Sequence, residues 1–107
     1  MRVLIDESLP VELADELPDI DASTVHAQRW LQLRNGVLLR AAVAAGFSVI
    51  LTGDQDLQYQ QNLRRIGIAA VVVSGIRNRI EELRPLIPRI IDALHAVRTG
   101  EVIEITR

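Results

Sequence analysis

Two pairs of acids, Asp6-Glu7 and Asp54 with Asp56, each follow closely on a short apolar run, and that repetition is the main functional signal in the chain. Carboxylates brought together repel one another, so their convergence persists only where a cation or a shared proton relieves it. A divalent ion does this best. Magnesium takes few protein carboxylates, keeps waters, and can polarise a phosphoryl oxygen or supply a hydroxide for in-line attack. All 12 basic residues are arginine, whose planar fork pairs bidentately with phosphate oxygens. Residues 22–80 hold seven arginines against two acids, whereas residues 1–21 hold seven acids against one arginine. Acids for a metal beside a basic middle that can hold a phosphate backbone point to metal-dependent phosphodiester hydrolysis. Each acid also has a plain structural account. Asp6 and Glu7 would favour a helix start through its dipole, and Asp54 or Asp56 would stabilise a turn after Gly53. The arginines would serve equally as a solvated surface with a few ion pairs.

What the composition lacks narrows the chemistry. With no cysteine, disulfides, thiolate catalysis and Cys-ligated zinc are excluded. His26 and His95 have no spaced partner and read as bystanders, so an ion here would be held by oxygen, which favours Mg2+ or Mn2+. The absence of lysine removes a Walker A site, a Schiff base and the lysine that reads out an aspartyl phosphate. That last loss argues against a phosphorylation receiver domain, another fold with acids at two strand ends. No run approaches the roughly 18 apolar residues of a membrane span, and no basic-then-apolar leader opens the chain. A cytoplasmic protein without membrane association is expected.

The elements that must position these acids read as follows. Val3-Leu-Ile5 and Val49-Ile-Leu-Thr52 are short strands covered on both faces, with Gly53 freeing the backbone before Asp54. Between them, Leu9, Leu13 and Leu17 give a helical stripe with Val11 and Ala14 beside it, Ser8 its cap and Pro10 in its first turn. Asp21 to Val25 is a weaker strand. A helix opens at Asn35, its expected cap, presents Val37, Leu38, Ala41, Ala42 and Ala45 to the sheet, and stops at Gly46. In the polar segment 55–65, Leu57, Tyr59 and Leu63 are candidate anchors; Trp30 and Tyr59 are candidates for base stacking or for the core. Ile68 to Ser74 is another buried strand. Helical spacing then runs from Ile80 to Val97, interrupted by Pro85 and Pro88, so a short helix ending near Arg84 and a longer one beginning with Pro85 are expected. Val102 to Thr106 is an edge strand. Residues 1–107 thus make one domain, a three-layer α/β/α sandwich with a mainly parallel sheet. If the first strand and the one ending at Thr52 are neighbours, their terminal carboxylates meet at one rim, where such sheets bind ligands.

Val-Leu-Ile-Asp6-Glu7-Ser-Leu-Pro10, Thr52-Gly-Asp54-Gln-Asp56-Leu57, Asn35-Gly-x-Leu-Leu39, Tyr59-Gln-Gln-Asn62 and Asn78-Arg-x-Glu-x-Leu83, in this order, resemble the small PIN-like proteins of the DUF5615 type. The resemblance covers nearly the whole chain. It implies a PIN-like fold, a magnesium- or manganese-dependent endoribonuclease site acting on RNA, and a place as the toxin half of a bacterial toxin–antitoxin pair, with a cognate antitoxin and a homodimer as candidate partners. By this likeness Asp6 is the first-strand metal carboxylate with Glu7 beside it, Thr52 and Asp54 match the Thr/Ser-x-Asp motif, and Asp56 is its second acid. Asp6, Asp54 and Asp56 are then the expected metal ligands and, with Glu7, the catalytic acids. Thr52, Asn35, Arg34, Arg64 and Arg77 are the expected substrate contacts. The chain departs from the family where a further acid is expected, near Asn35 to Val37, so a catalytically weak or inactive PIN-like binding module stands as the alternative.

Overall fold

In the computed structural model, which describes the backbone of residues 1–107 and every side chain but that of Gln58, five strands form one all-parallel sheet. They are β1 (Arg2–Ile5), β2 (Asp21–Thr24), β3 (Val49–Thr52), β4 (Ala69–Ser74) and β5 (Val102–Thr106), in the order β2-β1-β3-β4-β5. Parallel strands need crossovers that cover both faces, and this is why β3 and β4 are buried along their whole length.

Alternate strand residues feed two cores. Val3, Ile5, Val49, Leu51, Val71 and Val73 pack against Leu9, Leu13, Leu17 and the later helices. Leu4, Ile50 and Ala70 face the other way, toward the helices between β2 and β4. Those helices are α1 (Asn35–Ala44), α2 (Leu57–Gln60) and α3 (Leu63–Ile66). The opposite layer holds a 3-10 helix (Val11–Glu16), α4 (Ile80–Leu83), a second 3-10 turn (Arg84–Leu86) and α5 (Ile87–Ala96). Three layers result, as the sequence predicts.

Several local expectations are corrected. The first helical segment is 3-10 and is not capped by Ser8: Pro10 precedes it in extended conformation, and the Leu13 N–H donates to the Pro10 carbonyl. The segment lies between Pro10 and Pro18, and Leu9, Leu13 and Leu17 are all buried. Arg34, not Asn35, stands at the start of α1, and no side chain caps it; the buried face is Leu38, Leu39 and Ala42, while Val37 is 56% exposed. Pro88, rather than Pro85, occupies the first turn of α5. Tyr59 is no anchor, being 81% exposed. Trp30, partly buried, packs edge-on to Phe47 of the second core, with ring centroids 6.0 Å apart. Among the described residues, no helix is long and apolar enough to cross a membrane.

Candidate functional site

The chain leaves β1, adds β2 on one side, then returns to place β3 on the other. The crevice at the carboxyl ends of β1 and β3 is therefore the switch point where open parallel sheets take their ligands. Asp6 directly follows β1, and its N–H donates to the Leu51 carbonyl (2.9 Å), extending the ladder by one step. Ile5 pairs with Leu51, so Asp6 comes beside Thr52.

A short relay of hydrogen bonds fixes the acids. Thr52 Oγ1 donates to Asp6 Oδ2 (2.9 Å) and accepts from the Asp54 N–H (3.0 Å). Ser8 Oγ donates to the same Oδ2 (2.8 Å) and accepts from the Gly53 N–H (2.9 Å). Asp54 Oδ1 accepts from the Asp56 N–H (2.9 Å), closing a turn. One oxygen of each aspartate is thus held by protein, while Asp6 Oδ1 and Asp54 Oδ2 have no protein donor among the described residues. Nor does an arginine pair with either acid: the described ion pairs are Arg2–Asp21, Arg84–Glu16 and Arg107–Glu82.

Asp6, Glu7 and Asp54 line a cleft of about 330 Å³ with Arg34, Asn35, Leu31, Leu33 and Leu38. The structure therefore brings together five of the nine residues singled out from sequence, with Thr52 immediately beneath them, 1% exposed and tied to both aspartates. Three lie elsewhere. Asp56 is exposed and does not line the cleft, its backbone serving the Asp54 turn. Arg64 sits at the amino edge of the sheet, where a Cβ on Gly100 would come 3.1 Å from its Cα, and the Gly100 N–H bonds Ile68 just before β4. Arg77 follows β4, exposed, its N–H on Glu82 Oε1 (3.3 Å). Ser8, expected as a helix cap, belongs to the site; its position two residues after Asp6 is a signal that sequence reading assigned to the wrong partner.

The donor set is all oxygen, which suits magnesium or manganese. Among the described residues, no three His, Asp or Glu side chains converge closely enough to enclose a metal. Magnesium is commonly held by one or two carboxylates with its waters retained, and Asp6 and Asp54, which line one cleft, are the two candidates. Gly53 does not use the conformational freedom expected of it: its φ is not positive, and a Cβ there would make ordinary contact with Leu9 (3.4 Å) and Ser8 (3.5 Å). No protein-family model matches the chain, and neither curated proteins nor solved structures yield a match.

Proposed function

We propose that this protein is a metal-dependent ribonuclease of the PIN-like type, the toxin half of a toxin–antitoxin pair. The reading rests on one observation: Asp6 and Asp54 lie in one cleft at the switch point, anchored by Ser8 and Thr52, each with an oxygen left over and no guanidinium neutralising it. Asp6 Oδ1 and Asp54 Oδ2 would hold Mg2+ or Mn2+, with the exposed Glu7 carboxylate at the rim. Such an ion, when bound, neutralises phosphoryl charge and lowers the pKa of its water. The chain's own work is positional. Ser8 and Thr52 fix the Asp6 carboxylate, the turn at Asp56 fixes Asp54, and Arg34 with Asn35 on the facing wall would hold and orient a phosphate. RNA as substrate places the protein in the cytoplasm, and a toxin implies a cognate antitoxin.

Asp54→Ala is expected to fold and to lose both manganese-dependent RNA cleavage and growth arrest on expression; equal activity in that variant would remove the proposal. A second reading, a PIN-like binding module without catalysis, draws on the lack of a third converging acid. Manganese at ten times its dissociation constant would stabilise the folded state by about 1.4 kcal/mol through binding alone. An unchanged melting temperature across millimolar manganese would favour the binding module.

A further inference from the structure

The layer formed by α1, α2 and α3 is electrically one-sided. From residue 22 to residue 53, and again from 57 to 80, there is no acid, while Arg34, Arg40, Arg64 and Arg65 all lie on or beside these helices. Two of them meet. Arg40 of α1 and Arg65 of α3 line a groove of about 490 Å³ together with Gln61, Asn62 and Ile66, and no carboxylate lines it. Neither guanidinium has an ion-pair partner among the described residues. Two like charges on one groove repel, and an anion between them removes the cost.

The groove is built closely at one end. Gly36 lacks the Cβ that would fall 2.9 Å from Gln61 Oε1 and 3.2 Å from Arg40 Nη1. A side-chain contact lies between the groove and the acidic cleft. Arg34 and Asn35 line the cleft, and Asn35 Nδ2 reaches Gln60 Oε1 at 3.5 Å, next to the groove's Gln61. Arg40 stands six residues beyond Arg34, about 9 Å along the helix at 1.5 Å per residue. The joining helix α2 carries Tyr59, 81% exposed, an aromatic surface of the kind on which bases stack. Unpaired arginines, amide groups and an exposed aromatic ring on one helical layer are the groups that hold the phosphates and bases of a single strand.

We infer that the Arg40–Arg65 groove is a second phosphate site, which takes the backbone of single-stranded RNA while another phosphate of the same strand lies at the Asp6–Asp54 cleft. The location of the reacting phosphate rests on the ribonuclease reading above; the groove itself does not. The test is fluorescence anisotropy with a labelled 12-nucleotide oligouridylate in chelator, so that no cleavage occurs. Arg40→Glu/Arg65→Glu is expected to keep its melting temperature, since both side chains are exposed, and to bind at least tenfold more weakly. The milder Arg40→Gln/Arg65→Gln should show a dependence of log K on log salt shallower by about 1.4, the slope of two phosphate contacts on a single strand. Unchanged affinity in both folded double variants would overturn the inference, as would a wild type that binds a phosphopeptide and not the oligonucleotide. Arginine-dependent binding without metal-dependent cleavage would instead overturn the ribonuclease reading and leave the groove in place.

Discussion

Ser8 and Thr52 do more for the site than their modest chemistry suggests, because each hydroxyl both accepts from a backbone N–H and donates to Asp6 Oδ2. Ser8→Ala leaves the Gly53 N–H without its partner. It is expected to cost about 1 kcal/mol, seen as a melting temperature lower by roughly 4–8 °C. Thr52→Val keeps the shape of a side chain that is 1% exposed but deprives Asp6 of a donor and the Asp54 N–H of an acceptor. Thermal melts should show a loss of about 1–3 kcal/mol. Asp6→Asn separates anchoring from ion binding. An amide oxygen can still accept from both hydroxyls, so stability should change by less than about 1 kcal/mol, while any manganese-induced rise in melting temperature is lost. A rise of wild-type size in the variant would show that Asp6 does not hold the ion.

At the scale of elements, short pieces are held by tertiary burial rather than by their own propensity. The 3-10 helix spans only Val11–Glu16 and lacks a cap, yet Leu13 is fully buried beneath it; Leu13→Ala should cost about 2–5 kcal/mol by denaturant titration. The same segment is tied to the opposite end of its layer where Arg84 Nε donates to Glu16 Oε1 at 2.9 Å, a pairing that raises the Arg84 pKa above its ordinary value. That guanidinium is exposed and stays charged at any physiological pH, so no pH dependence of stability is expected from it. Two glycines behave oppositely. Gly100 has φ +84° and would drive a Cβ to 2.9 Å from Arg64 Cβ, so Gly100→Ala should destabilise by about 1–3 kcal/mol. Gly36 has helical backbone and meets only the ends of two flexible side chains. Gly36→Ala should hold or raise stability by up to about 1 kcal/mol while displacing Gln61 and Arg40, a change that oligonucleotide titration would detect.

On the scale of the whole molecule, the sheet order decides where stability and function lie. β3 and β4 are buried throughout, whereas β2 and β5 are edge strands with exposed positions at Asp21, Glu104 and Thr106. Amide exchange should be slowest in β3 and β4 and fastest, among the strands, in β2 and β5. Reversal of that ranking would contradict the layering. The helices also divide charge: α1, α2 and α3 carry arginine and no acid within their spans, Asp56 standing at the start of α2, and the opposite layer mixes Glu81, Glu82 and Asp92 with Arg84 and Arg89. Arg34 and Asn35, at the start of α1, line the acidic cleft, so that cleft borders the arginine-bearing layer.

The residues alone indicated the central strands, because Val3 to Ile5, Val49 to Thr52 and Val71 to Val73 are short β-branched and apolar runs that suit a doubly covered parallel sheet. They likewise marked Asp6 and Asp54 as strand-end acids, since local patterning reports where an element stops. Local patterning could not report partners. The neighbouring of β1 and β3, the double use of Ser8 and Thr52, the exclusion of Asp56 and Arg64 from the cleft, and the meeting of Arg40 with Arg65 all join residues far apart in the chain. Such pairings are fixed by the packing of the two cores around the sheet, a long-range balance that no single stretch of sequence contains.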